Sequence, residues 1–488
     1  MAALTKNDIR DVIEIIKELY LEDRIPWICG YSGGKDSTAM VQLVWQALSE
    51  LMPAQLQKTV HVINTDTLVE SPVVSIWANQ SIKRMEETAK AQGLPIVPHR
   101  LTPTITNTFW VNLIGRGYPY PRRDFRWCTD RMKIDCSNRF IKSVLDAESE
   151  AIMVLGSRKA ESSARRAVLE GYEKKRYRAH LSPNGSFPNS YVFTPIENWS
   201  NDNVWQYLMQ VPNPWGQDNK DLLAMYKGAS EDGECPLVVD TSTPSCGNSR
   251  FGCWVCTMVT EDRSMAAMIQ NDEEKAWMLP MMEFRNHIVG DWELDRKRRD
   301  FRRKDGHLTW HNNRLVHGPY TQETRVDFLR RLLKLEKLVH EIGPEEIKDI
   351  PLITMEELKF IRAIWLDEKH EFEDLLPRIY EEETGLPFAD EAISKNKYFG
   401  AEEAALLRQI CGELYPEETL LGEMQCALID TEAKAAATSN KRNVITNFEA
   451  EIRKAFFRDE EDAEEIAKNR SARLTELIGE PEEDDAVE

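Results

Sequence analysis

A doubly wound parallel α/β sheet is the fold this sequence predicts, on three observations. Short apolar runs recur before glycine-rich or charged turns, at Pro26 to Cys29, Val60 to Asn64, Pro95 to Leu101 and Ala151 to Leu155. Segments of helical period separate them, as in Met40 to Leu48 and Ser75 to Gln92. The first run opens into Tyr31-Ser32-Gly33-Gly34-Lys35-Asp36-Ser37-Thr38, which reads as a strand, a tight turn and a helix start. Strands alternating with helices at this spacing need crossover connections, and crossovers produce a parallel sheet covered on both faces.

Taken in order, residues 6 to 22 place Ile9, Val12, Ile13, Ile15, Ile16 and Leu19 at helical spacing ahead of the first strand. The turn after that strand suits an anion. Its glycines let backbone N–H groups approach a phosphate closely, and the following helix adds unpaired donors and the positive end of its dipole. Lys35 adds a mobile charge, and Ser32, Ser37 and Thr38 add hydroxyls. The second strand ends in Thr65-Asp66-Thr67, which puts the Asp66 carboxylate where ligands of such sheets lie, near a ribose or adenine. The same side chain can instead cap the helix that follows Ser71-Pro72. The fourth strand delivers Gly156-Ser157-Arg158-Lys159-Ala160-Glu161-Ser162-Ser163-Ala164-Arg165 to the same rim. Ser200 then caps a helix whose Trp205 and Leu208 pack inward.

With 488 residues, two or three domains are expected. The 42% apolar content includes no uninterrupted run near the length of a membrane span, and Met1 to Asp11 lacks a charged region followed by an apolar one. A cytoplasmic protein without a membrane partner is therefore expected. A net charge of −20 argues against a protein that coats nucleic acid everywhere, yet it leaves room for a basic face. Arg296 to Lys304, interleaved with Phe301 and followed by Trp310, suits DNA phosphates and bases, while a solvated helix or loop is the plainer reading.

Of nine cysteines, four crowd together as Cys235, Cys246, Cys253 and Cys256, spaced Cys-x10-Cys-x6-Cys-x2-Cys in a segment rich in Gly, Pro, Ser and Thr. Four thiolates from one loop complete a zinc site or hold a 4Fe-4S cluster, and spacing alone does not choose. Upstream, Cys128 sits among Arg122, Arg123, Arg126 and Arg131. Nearby cations favour the thiolate, which makes Cys128 the candidate sulfur carrier, unless the arginines simply grip phosphates. The domains expected are a nucleotide domain at 1–230, a cysteine loop at 231–262, a basic DNA-contact segment at 263–320, an α-helical region at 321–458 and a flexible acidic tail at 459–488.

The Walker pattern fails here, because the two glycines are adjacent and Asp36 follows the lysine. Ser32-Gly33-Gly34-Lys35-Asp36-Ser37 instead resembles the pyrophosphate loop of the N-type ATP pyrophosphatases, which include the sulfonucleotide reductases and tRNA thiolation enzymes. Gly156-x-Arg158-x-x-Glu161-Ser162-x-x-Arg165, the Pro195-Ile196-x-x-Trp199-Ser200-x-x-x-Val204-Trp205 stretch and Cys128-Thr129-x-x-x-Lys133 are similar to further segments of the reductases. The resemblance covers residues 25 to 210. It implies an adenine nucleotide alpha hydrolase-like fold, ATP with Mg2+ on Ser32 to Ser37, nucleotide contacts from Asp66, Gly156, Arg158 and Arg165, and Lys35, Asp36 and Cys128 as catalytic groups. With the cysteine pattern added, the chain resembles the DndC family of DNA phosphorothioation sulfurtransferases. That resemblance implies a 4Fe-4S cluster on the four cysteines, DNA as substrate, a cysteine desulfurase as sulfur donor, and the DndD-type ATPase and DndE as partners. The alternatives are a phosphoadenylyl or adenylyl sulfate reductase, and a non-catalytic ATP-sensing DNA-binding subunit.

Overall fold

The computed structural model describes residues 4–122, 125–229, 252–389, 399–437 and 443–478. They fall into two compact units. The first comprises Met1–Phe109, Pro121–Arg285 and Val339–Ile350, and the second Trp110–Tyr120, Asn286–Leu338 and Pro351–Glu488.

In the first unit the chain runs α1 (Lys6–Glu22), β1 (Trp27–Gly30), α2 (Lys35–Ser49), β2 (Val60–Thr65), α3 (Pro72–Gln92), β3 (Ile96–Leu101), α4 (Asp135–Glu148) and β4 (Ala151–Val154). After these come α5 (Ser163–Lys174), β5 (Ser182–Pro183), β6 (Ser190–Phe193), α6 (Asn201–Gln210) and α7 (Asn219–Gly228). The sheet order is β3-β2-β1-β4-β6-β5, parallel throughout except that β5 pairs antiparallel with β6. The expected doubly wound parallel sheet is therefore present. Its order reverses at β1, which lies between β2 and β4, so the carboxyl end of β1 faces the crevice where such sheets bind ligands.

Strand periodicity explains the layering. Trp27 and Cys29 on β1, with Ile152 and Val154 on β4, join a core shared with α1, α2, α3 and α6. Ile28 and Met153, one residue out of step, face the opposite layer with Ile141 and Val144 of α4. Large rings lock the first layer: Trp215 lies edge-on to Tyr31 at 6.4 Å and tilted against Trp45 at 5.7 Å. Pairs of this kind add about 0.5–1.5 kcal/mol each beyond the area they bury. The helix expected from Ser75 begins earlier, at Pro72, because proline's fixed φ and missing donor suit a first helical turn. Ser200 caps α6 as expected, accepting from the Asn203 N–H.

In the second unit, Trp110–Tyr120 is tied to later helices. The Trp110 indole donates to the Leu352 carbonyl at 2.7 Å, and the Trp365 indole to the Ile114 carbonyl at 3.0 Å. Gly117, at φ +75°, lies so close to Tyr320 that a Cβ would meet its carbonyl at 2.9 Å. Helices then follow at Met355–Asp367, Leu375–Thr384, Ala401–Leu414, Leu421–Ala437 and Val444–Lys454, in keeping with the α-helical region expected there.

Two of the expected segments are built into this unit. Of the acidic stretch 459–488, expected to be flexible, Glu460–Ile478 forms a helix whose Ala463 and Ala467 pack on Leu315, and residues 479–488 lie outside the described residues. The basic run 296 to 304 is largely turned inward. Arg296 bonds His317 and Glu460, Arg298 the His287 carbonyl, Arg299 the Gly318 carbonyl and Asp295, and Arg302 Asp300, Glu423 and the Lys454 carbonyl. Phe301 and Trp310 pack against the cluster formed by Leu315, Ala463 and Ala467. Nearby carboxylates, Asp295 and Asp300, and acceptors farther along the chain thus engage Arg296, Arg298, Arg299 and Arg302, while Lys297, Arg303 and Lys304 stay exposed.

One pair reports on the sheet. His61 on β2 and His99 on β3 meet Nδ1 to Nε2 at 3.0 Å beside Phe140. Burial, then the charge of His99, pushes His61 down to about 4, and burial also lowers His99. The native state keeps His61 neutral where the unfolded chain protonates, so unfolding takes up protons and stability falls as pH drops from about 6.5 to about 4. Denaturant titrations across that window should show a steeper loss for wild type than for His61→Asn. Parallel curves would remove the pair from the pH dependence.

Candidate functional site

The site begins with amides that have nowhere else to go. Gly34 is the residue before α2 and gives no side-chain cap, so the first helical N–H groups depend on outside acceptors. Hydroxyls serve instead: Ser37 Oγ accepts from Ser32 N–H at 3.2 Å, Ser32 Oγ from Gly34 N–H at 3.4 Å, and Tyr226 Oη from Lys35 N–H at 3.3 Å. These bonds are long, and the Ser37 hydroxyl in turn donates to the Gly34 carbonyl at 3.0 Å, which closes the turn on itself. Gly33 turns the loop at φ +77°, with Trp77 of α3 donating its indole N–H to the Gly33 carbonyl at 3.1 Å.

Beneath the loop lies an ion-pair floor. Asp36 takes Arg158 Nε at 2.7 Å on one oxygen and Lys35 Nζ at 3.2 Å on the other. Arg158 is 3% exposed and also donates to the Trp199 carbonyl at 3.3 Å. Gly156 makes this approach possible, since a Cβ there would sit 2.7 Å from the Asp36 carbonyl oxygen. Arg158 thus supports the loop and is not among the residues that line the cavity. Arg165 does not line the cavity either; its side chain is half-exposed and bonds Glu161 at 3.3 Å.

The cavity, about 500 Å3, opens over β1 and β2. Ser32, Gly33, Gly34 and Asp66 line it, with Asn64, Glu70, Lys133 and Tyr226 among the other walls. Lys35, Asp36, Ser37, Gly156 and Arg158 are not among the lining residues. Asp66 does not cap α3: it accepts from the Leu68 N–H at 2.8 Å and pairs with Arg100, which fixes the turn after β2.

That turn carries the link to the cysteines. Glu70 and Cys253 form an antiparallel bridge, with Ser71 N–H donating to the Gly252 carbonyl at 3.2 Å and Trp254 N–H to the Val69 carbonyl at 3.0 Å. Glu70 faces Lys133 Nζ at 3.4 Å, and Cys253 Sγ lies 3.9 Å from the same carboxylate oxygen and 3.3 Å from Thr67 Oγ1. Cys256 closes a turn on Cys253, its N–H donating to the Cys253 carbonyl at 2.9 Å. Arg285, buried, holds that turn through the carbonyls of Cys256 at 2.9 Å and Thr260 at 2.8 Å.

Charge follows from this packing. Burial, then Glu70, pushes the Cys253 thiol up. Burial works to lower Lys133, but Cys253 and Glu70 more than offset it and hold the ammonium charged. Cys128 stands just before a π-helix, Thr129–Ile134, a rare backbone form frequent at functional sites. It was expected to ionise readily among its arginines. Instead burial raises its pKa, with Thr129 and Lys133 acting the other way and Cys256 adding to the rise. Arg131 spends one guanidinium N–H on Asn107 at 3.1 Å.

Cys235 and Cys246 lie outside the described residues, as does Arg123. Among the described residues no group of three His, Cys, Asp or Glu side chains is arranged to hold a metal. Cys253 and Cys256, free thiols on one rigid turn, are the half of the four-cysteine pattern whose placement is described. Sequence reasoning passed over Glu70, Trp77 and Tyr226. Glu70 had a faint signal, a carboxylate in the turn after a strand, whereas Tyr226 had none.

Residues 26–216 match the family model of the phosphoadenosine phosphosulfate reductase domain. An uncharacterised protein of Methanocaldococcus jannaschii is 27% identical over 212 residues, which are 43% of this chain and 36% of that protein. The chain therefore spans little more than a third of that relative's length. Partial superpositions reach the phosphoadenylyl-sulfate reductase of Candida auris in its phosphate complex, at 13% identity over 44% of this chain and 91% of the other, with a TM-score of 0.25. They also reach the U34-tRNA thiolase NcsA of Methanococcus maripaludis with its 4Fe-4S cluster, at 12% identity over 58% and 78%, with a TM-score of 0.29. Scores this low carry no argument about function. The sequence match, the parallel sheet and the glycine turn at its switch point agree with one another: residues 26–216 are a phosphoadenosine phosphosulfate reductase-like domain.

Proposed function

We propose that this chain is an ATP-dependent sulfurtransferase that places sulfur in the DNA backbone, activating a phosphate by adenylation. The observation that carries the reading is the bridge between Glu70 and Cys253, which joins a dithiol turn to the wall of a phosphate-type cavity. Nucleotide chemistry and thiol chemistry then share one carboxylate and one lysine.

The chemical logic is leaving-group quality. A non-bridging phosphate oxygen does not depart as oxide, but once joined to AMP it leaves with AMP when sulfur attacks phosphorus. In the first step pyrophosphate leaves ATP, and charge grows on its oxygens. The amides of Ser32, Gly34 and Lys35 and the Lys35 ammonium meet that charge, with a Mg2+ ion brought by ATP sharing it. The Arg158 pair neutralises Asp36, so the loop's own carboxylate does not repel the phosphates.

Cys253 and Cys256, with Cys235 and Cys246, would hold a 4Fe-4S cluster, which supplies redox or sulfur-binding chemistry beside the cavity. Cys128 would carry the incoming sulfur as a persulfide from a cysteine desulfurase, with Lys133 stabilising its thiolate; the outer sulfur would bond phosphorus as AMP leaves, and a thiol reductant would then cleave the S–S bond, freeing the phosphorothioate and leaving Cys128 in a disulfide with that thiol. DNA, the DndD-type ATPase and DndE complete the set of partners in this reading. The reductase reading is favoured by the family match over residues 26–216, and it differs in leaving ATP intact.

Pyrophosphate release from ATP, measured with and without DNA, separates the two. Wild type should release pyrophosphate, and Lys35→Ala should slow it by about 100- to 1000-fold, the usual effect of losing one preorganised electrostatic group. Release of orthophosphate alone, or turnover of a sulfonucleotide in place of ATP, would overturn the proposal.

Anaerobic purification with iron, sulfide and zinc analysis tests the cysteines. Cys253→Ser should lose iron, sulfide and the visible absorption together. Cys128→Ser should keep the absorption and lose sulfur incorporation. Loss of the chromophore in both variants would make Cys128 a ligand instead of a carrier.

A further inference from the structure

A second cavity, about 590 Å3, lies wholly within the second unit, and the nucleotide reading makes no use of it. Arg299, Arg302, Arg325, Arg408 and Lys369 bring cations to its wall. The arginines are all engaged by carboxylates: Arg299 holds Asp295 at 3.1 Å, Arg302 holds Asp300 at 2.6 Å and Glu423 at 3.1 Å, Arg325 holds Glu371, and Arg408 holds Glu373. Among the described residues the Lys369 ammonium has no hydrogen bond and no ion pair.

Its surroundings show what is missing. Burial, then the charge of Arg325, pushes Lys369 down to about 8, with Glu371 and Asp300 acting the other way and Lys304 adding to the fall. The wall is short of counter-charge at this point, because Asp300, Glu371 and Glu423 are already taken by arginines. Donors stand nearby. Thr321 and Gln322, at the start of the helix Gln322–Ile342, line the same cavity, and the first amides of a helix have no partner within it. Lys369 is fastened to that helix start, since Arg325 in its first turn pairs with Glu371, two residues beyond the lysine, and also donates to the Tyr320 carbonyl at 3.3 Å. Glu418 and Glu423 are exposed in the wall, which favours a compact anion over a long polyanion such as DNA.

We propose that this cavity binds a small phosphate-class oxyanion, held by the Lys369 ammonium and by amides at the start of the helix Gln322–Ile342. The anion supplies the counter-charge that the wall lacks, so its arrival favours the protonated amine. The site is separate from the nucleotide reading and does not depend on it.

The test is trace labelling of the full chain with isotopic acetic anhydride near pH 8, which reads the neutral amine, with mass mapping of Lys369 against exposed Lys297. Inorganic phosphate at ten times its dissociation constant should slow labelling of Lys369 about tenfold, since only the empty fraction reacts, and leave Lys297 unchanged. Chloride at equal ionic strength should protect neither. In equilibrium dialysis with radiolabelled phosphate, Lys369→Gln should bind one phosphate fewer per chain than wild type, and Lys369→Arg should restore it. Labelling indifferent to phosphate, chloride protecting as well as phosphate, or an unchanged phosphate count in Lys369→Gln would each overturn the inference. Protection by duplex DNA with none by inorganic phosphate would overturn the small-anion site as well.

Discussion

The backbone N–H groups at the start of α2 are the constraint around which the first unit is built. A helix start with no side-chain cap leaves donors that must find partners or water. Here the neighbouring acceptors are hydroxyls at 3.2–3.4 Å, which satisfy the amides without adding negative charge. A carboxylate cap would bind the same donors more tightly and repel any anion. Helix stability is thus held below what a capping aspartate would provide, and the difference remains available to a ligand.

The same economy of charge explains Asp36 and Arg158. An acidic residue in an anion loop is a liability unless a cation stands against it. Arg158, almost fully buried, provides that cation, and its second bond to the Trp199 carbonyl settles the guanidinium. Removing one partner of such a pair strands the other charge, so each depends on the other. Gly156 is required because nothing larger than hydrogen fits between the fourth strand's exit and the backbone of α2. Glu70, a lining residue of the cavity, plays a comparable role, with Lys133 and Cys253 sharing its carboxylate. One carboxylate-centred contact thereby braces the phosphate loop, and the other joins the dithiol turn to a lining residue.

The second unit uses charge differently. Its arginines act as struts, spanning from the basic run to a loop carbonyl at Gly318 and to acceptors on two later helices, Lys454 and Glu423. Arginine suits this work because its planar fork satisfies several acceptors at once with little loss of freedom. The Arg325 and Glu371 pair, buried on both sides, is of the same kind. A cluster of positive residues in a sequence is therefore a statement about charge, and its use depends on what folds against it.

Much of the fold was legible in the residues alone, since its signals act over a few positions. Alternation along β1 and β4, the helical period of α1 and α2, the glycine turn at Gly33 and the Ser200 cap each express bonds made within a turn or a strand. The loop and Asp66 were legible for the same reason or through resemblance, whereas the bridge from Cys253 to Glu70 was not. What only tertiary structure decided were contacts between residues far apart in the chain. Arg158 reaches Asp36 across 122 positions, and Tyr226 reaches Lys35 across 191. Tertiary packing likewise set Arg158 against the loop's own carboxylate, raised the Cys128 thiol by burying it, and gave Arg296, Arg298, Arg299 and Arg302 protein acceptors. The physical reason is common to all of them. A side chain's charge state and partner depend on its burial and on what the other elements bring to it, and no local pattern encodes either.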